Sequence, residues 1–290
     1  MGTTSKTASK PKQKLGNILL GLLFLVGLLV FLYPSISNYI NSFYQAGAIA
    51  EYSHTVDEMG PAQIEEMFKE ADAYNKKLQS KSSLNFNLNA EEMAEYDKLL
   101  NPSNTGMMGF ITIDSLNVEL PVYHGIEDTV LQRFIGHLPG TSLPTGEMGT
   151  HVVLSGHRGL PESKLFTDLD RMKEGDIFSL HVLGRNLAYK VDQIRIVEPR
   201  EVSDLKIESN EAYCTLITCT PYGINSHRLL VRGHRVAYPN QDSILADALR
   251  LDPFLLTSAF SLFVSVLALG VVFLNTRTKF AKRLGQIRKK

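Results

Sequence analysis

The stretch AYCTLITCTPYGINSHRLLVRGHRV, residues 212–236, sets two apolar, β-branched runs on either side of a Pro-Tyr-Gly segment. Runs of that kind, bounded by Pro, Gly and Asn, read as two strands joined by a turn. Cys214 and Cys219, the only two cysteines among 290 residues, both lie on the first strand. They stand five positions apart, an odd separation, so their side chains point to opposite faces. Their Cα atoms would lie about 16 Å apart at ~3.3 Å per residue, far beyond the reach of a disulfide. The sequence holds no Cys-x-x-Cys pair of the kind zinc sites use. Cys214 therefore reads as a buried apolar thiol. Cys219, at the strand's end, is the thiol available for chemistry.

The same texture extends upstream. GFITIDSLNVELPVYHG (109–125), HVVLSGH (151–157) and IFSLHVLGRNLAYKVDQIRIVE (177–198) alternate as short strands, with residues 183–186 as a hairpin connection. One helix-like insert, SKLFTDLDRM (163–172), interrupts them. This pattern predicts a mainly β unit over 109–238, a closed barrel or a sandwich. The region before it reads as helical. SISNYINSFYQAGAIAEYSH (35–54) continues a helix, and TVDEMGPAQIEEMFKEADAYNKKLQ (55–79) places Ile64, Met67, Phe68, Ala71 and Tyr74 or Leu78 on one helical face. SKSSLNFNLNAEE (80–92) is polar and reads as a loop, followed by a short helix in AEEMAEYDKLL (90–100).

Two segments carry no charge over membrane-spanning length, Leu15–Tyr33 and Phe254–Leu274. Each would span about 30 Å as a helix, the thickness of a bilayer's hydrocarbon core. A cleaved signal is the rival reading of the first, with AGAIA (46–50) as the cleavage site. The apolar run is too long for that, and AGAIA lies more than a dozen residues past its end. Lys6, Lys10, Lys12 and Lys14 precede the first span, and seven Lys and Arg residues from Arg277 to Lys290 follow the second. The positive-inside rule then puts both termini in the cytoplasm and the intervening chain outside. The expected organisation is a basic tail (1–14), a span (15–34), a helical extension and loop (35–108), the β unit (109–238), a linker (239–253), a span (254–274) and a second basic tail (275–290). The chain balances 30 Lys and Arg against 30 Asp and Glu, so its charge points away from nucleic acid.

A cysteine nucleophile needs a base or cation beside it and a donor for the developing oxyanion. His157, at the end of an apolar strand among glycines, is one candidate; His137 and His227 are others, and spacing does not choose among them. Arg228, nine residues past Cys219, offers a permanently charged fork of donors. The residues around these positions resemble a known family. TLITC (215–219) is similar to the TLxTC signature of sortases, the cysteine transpeptidases of Gram-positive cell surfaces. TLITCTPYGINSHRLLVRG, LSGHRGLPESKLFTDLD and GHLPGTSLPTG together resemble class C, the pilus-assembling branch.

The resemblance implies a closed sortase-type barrel preceded by a helical extension and flanked by two membrane helices. It implies Cys219 as nucleophile, His157 as acid/base and Arg228 as the group that steadies substrate and oxyanion, with no cofactor and no metal. The partners it implies are pilin subunits with LPxTG-like sorting signals, an acceptor lysine amine and the lipid membrane. One departure stands out. Class C enzymes carry a lid with an Asp-Pro-aromatic tripeptide, and none occurs between Leu78 and Gly109. Asn85–Asn87 or Asn101–Ser103 are the substitutes on offer, since the one Asp-Pro-Phe, at 252–254, opens the second span. The other readings are a sortase that anchors proteins to the cell wall, a cysteine hydrolase, and a non-catalytic binding domain.

Overall fold

Alternating burial along short runs closes the β unit on itself. The structure, a computed structural model, describes residues 10–81 and 85–238; the second apolar segment, its linker and its basic tail lie outside the described residues. Eight strands, β1 (Met107–Ile113), β2 (Val118–His124), β3 (Ile135–His137), β4 (Thr150–Ser155), β5 (Ile177–Val182), β6 (Arg185–Val197), β7 (Ala212–Thr220) and β8 (His227–Val236), form a closed barrel in the order β1-β2-β3-β4-β7-β8-β6-β5. Closure leaves no unpaired edge strand. The inward positions form one core, with Ile111, Val152, Leu154, Leu180, Leu216 and Val231 buried. Two junctions are parallel, β2 with β3 and β4 with β7.

Among the described residues, those up to Ser35 group apart from those from Ile36 onward. Helix α1, Lys10–Asp57, belongs to both. In its first part the apolar side chains from Leu19 to Phe31 are largely exposed, and by length and composition it is the one described helix able to cross a membrane. Past Ser35 the helix buries Gln45, Tyr52 and Val56 instead. Helix α2, Pro61–Gln79, begins with a proline, whose missing N–H is harmless in a first turn. It buries Phe68, Ala71, Tyr74, Asn75 and Leu78, with Ile64 and Met67 packed at the margin. Helix α3, Ala90–Tyr96, starts from a capping box in which Asn89 and Glu92 satisfy each other's backbone N–H groups.

The extension is riveted to the barrel. The β5–β6 hairpin turns on Leu183 and Gly184, both at positive φ, as a two-residue turn matched to the strand twist requires. Leucine is an unusual occupant, and here the Leu183 N–H donates to the hydroxyl of Tyr52 on α1 at 2.9 Å, which in turn donates to Met108 O at 2.9 Å. The Arg185 guanidinium stacks 3.6 Å above the Phe68 ring of α2.

Three elements differ from expectation. SKLFTDLDRM forms no α-helix: Leu165 sits at φ 37, and the Phe166 N–H donates to His157 O at 3.2 Å rather than to a preceding helical turn. Only a 3-10 turn, Leu169–Arg171, remains. Strand β3 and the single turn of helix α4, Asp128–Leu131, were not foreseen.

Candidate active site

Strand β4 lies parallel to β7, with Ser155 in register with Ile217. Beyond that pair the Gly156 N–H donates to Ile217 O at 3.0 Å, and the Thr218 hydroxyl donates to Gly156 O at 2.7 Å. Strand β4 ends at Ser155, and His157 follows two residues later in the loop beyond it. On the other side of β7 the antiparallel β8 sets Arg228 directly opposite Cys219, a relation that places Cβ atoms about 4.5–5.5 Å apart. Period two on each strand keeps these three on the face away from the core. Leu216 and Thr218 are buried inside, whereas Ser155, His157, Ile217, Cys219 and Arg228 are half-buried. The β7–β8 junction thus sets Arg228 opposite Cys219, and the β4–β7 junction ends two residues before His157.

Each neighbour is held locally. The β7–β8 loop closes through the N–H groups of Ile224 and Asn225 on Pro221 O, at 3.1 and 2.9 Å. Arg228 donates from Nη1 to His227 O at 3.1 Å and Asn225 O at 3.4 Å, which fixes the stem of its fork beside the loop. The histidine loop is necked by the Phe166 N–H on His157 O. Gly159, at φ 77, lets the loop pass under Tyr222; a Cβ there would stand 3.0 Å from that ring.

Arg158 joins the two loops. Its side chain is only 9% exposed and pairs with Asp170. Nη1 donates to the Thr220 hydroxyl at 3.3 Å, and the guanidinium lies 5.9 Å from the Tyr222 ring centre. It therefore links the residue after His157 to the residue after Cys219. Sequence reasoning missed it; its one signal was its place beside the histidine.

The other histidines have different surroundings. His137 is fully buried between the Tyr96 hydroxyl, 2.8 Å from Nδ1, and Ser142 O, 2.9 Å from Nε2. The carbonyl demands a proton on Nε2, and the Tyr96 hydroxyl beside Nδ1 also donates to His137 O at 3.1 Å. Burial lowers its pKa to about 3. His227 is exposed, faces Thr220 across the strands and contacts the Ser226 hydroxyl at 2.8 Å. Cys214 is fully buried on the core face, and burial raises its thiol pKa well above the usual value. Among the described residues no group of three or more His, Cys, Asp or Glu side chains is placed to hold a metal.

A closed barrel that sets a half-buried thiol opposite an arginine on adjacent strands suits acyl transfer through cysteine. The sortase domain family matches residues 111–236, from within β1 to the end of β8. Sortase C1 from Streptococcus agalactiae is 46% identical with a TM-score of 0.64, over 66% of this chain and 99% of that one. Sortase C from Streptococcus pneumoniae is 44% identical with a TM-score of 0.59, over 66% and 97%. Sortase C from Clostridium perfringens, solved with a C-terminal cell wall sorting motif, is 40% identical with a TM-score of 0.58, over 67% and 100%. The chain belongs to the sortase family, on its class C branch, and is a cysteine transpeptidase.

Proposed function

We propose that this sortase assembles pili, with Cys219 as nucleophile, His157 as acid/base and Arg228 as oxyanion and substrate clamp. The observation that supports the site assignment is the register that sets Arg228 opposite Cys219, with β4 ending beside β7 two residues before His157. The Cys219 thiolate attacks the scissile carbonyl of an LPxTG-like sorting signal. Arg228 holds the oxyanion, the C–N bond breaks, and His157 gives its proton to the leaving amine. The thioester then meets the second substrate, a pilin lysine amine. His157 takes the proton of the attacking nitrogen as the amide forms and the thiolate departs.

Pilin selectivity is the finer part of this reading. It is supported by the similarity to the S. pneumoniae enzyme, whose structure was described in terms of pilin substrate specificity, and to the C. perfringens enzyme solved with a sorting motif. The exposed apolar part of α1 supports anchoring in the membrane, and the basic residues flanking the two apolar segments support cytoplasmic termini with the barrel outside. Mass spectrometry of products formed from an LPxTG-bearing protein and a candidate pilin tests it. An isopeptide to a pilin lysine is the expected product. Transfer to a cell-wall amine in preference to the pilin overturns pilus assembly, and release to water despite excess amine marks a hydrolase.

A further inference from the structure

Past the apolar part of α1, three amide side chains recur on one face of the helix: Asn38, Asn41 and Gln45, spaced i, i+3 and i+7. All three reach the loop that follows His157. Asn38 Oδ1 accepts the Lys164 N–H at 2.9 Å. Asn41 Nδ2 donates to Glu162 O at 2.7 Å. Gln45 Nε2 donates to Arg133 O at 2.7 Å and contacts the Ser163 hydroxyl at 3.3 Å, with both Gln45 and Ser163 buried. The same loop is closed at its neck by the Phe166 N–H on His157 O. It has no regular element of its own before the 3-10 turn at Leu169, and Leu165 at φ 37 keeps it from coiling into a helix. The amides on α1 supply hydrogen-bond partners that the loop would otherwise take from a helix or strand.

We propose that Asn38, Asn41 and Gln45 are positioning residues, through which the helix that carries the apolar segment sets the place of His157. The inference rests on His157 being the acid/base group. The ladder has a direction that the backbone dictates, because Lys164 N–H only donates and the Glu162 and Arg133 carbonyls only accept. Carboxylates of the same shape therefore act oppositely along one helix face. Asn38→Asp keeps its acceptor, and a carboxylate receiving a backbone N–H is a strong pair. Asn41→Asp and Gln45→Glu lose their donors and set an anion against a carbonyl.

The test uses the full chain in phosphatidylglycerol nanodiscs, with a sorting-signal peptide and an amine acceptor. Asn41→Asp is expected to lower kcat on the order of tenfold with KM unchanged, a displacement short of the ångström that costs about a hundredfold. Asn38→Ala is expected to fall likewise and Asn38→Asp to match the wild type. Hydrogen exchange over 160–166 should quicken in Asn41→Asp and Asn38→Ala and stay protected in Asn38→Asp, whether or not the enzyme turns over. Equal kcat in Asn38→Asp and Asn41→Asp overturns the ladder, and so does quickened exchange with unchanged kcat. A fall in melting temperature that tracks the fall in kcat overturns it too, since the amides would then be merely structural. His157→Ala run alongside separates the two readings: full activity there removes the site assignment, while the exchange pattern still judges the ladder.

Discussion

Two cysteines on one strand meet opposite fates because a strand has two faces. Cys214 points into the core with its thiol desolvated, and Cys219 points out beside Arg228. Cys219→Ala should abolish transpeptidation, while Cys214→Ala should keep most of it at a stability cost of about 1 kcal/mol for the buried sulfur. Turnover and thermal melts of the two variants check this, and an inactive but folded Cys214→Ala would contradict the two-faced strand. Arg228→Lys is the sharper probe. Lysine keeps the charge and loses the planar fork. If the fork holds the oxyanion, kcat should drop about 10²–10³-fold with little change in KM; an unaffected variant would reduce Arg228 to a surface charge. That Arg228 stands opposite Cys219 was legible in the sequence because a single hairpin carries both. His157 was not separable from His137 and His227 by spacing, since its position depends on the parallel pairing of β4 with β7, and only the family resemblance pointed to it. Arg158 was invisible for the same reason, its partners Thr220 and Asp170 lying far along the chain.

Elements long enough to show a period were legible, and those made by tertiary contacts were not. The alternating runs became β1, β2 and β4 to β8, and the apolar stripe of α2 buried Phe68, Ala71, Tyr74 and Leu78. Strand β3 has three residues, too few to alternate detectably, and it exists because β2 and β4 flank it. SKLFTDLDRM has helical spacing, yet the neck bond from Phe166 to His157 wins. The loop before α3 is polar as expected, and its described part rests by backbone on the barrel: a Cβ at Gly140 would stand 2.0 Å from Asn85 O. That contact anchors the segment at the 138–141 turn, and the segment lacks the lid tripeptide. Cys219 should therefore be reached freely by small thiol reagents. Alkylation rates in Phe86→Ala and in the wild type should agree within about twofold. A tenfold acceleration, equivalent to about 1.4 kcal/mol of closure, would show that Phe86 plugs the cleft.

The molecule as a whole is built to resist protonation poorly. His137 and His151 are buried neutral, and burial lowers their pKa values to about 3 and about 4; His124 is lowered too. In the unfolded chain a histidine titrates near ~6.5. Below that pH the unfolded state binds protons that the folded state refuses, so stability present above ~6.5 is lost as pH falls toward the folded values. Two such rings contribute a slope on the order of 3 kcal/mol per pH unit between ~6 and ~4. Melting temperature should drop steeply across that window. His137→Gln, which can still donate to Ser142 O, should roughly halve the slope; an unchanged slope would mean that the ring is not the titrating group. The barrel's strand order carries a consequence for synthesis. Residues 156 and 158 bond to residues 62 positions later, 218 and 220, and β7 enters between β4 and β8 only after most of the chain has been made. The ribosome thus delivers the histidine first and the thiol late, with the arginine later still. Closing the last gap in the barrel wall and setting Cys219 opposite Arg228 are therefore one event.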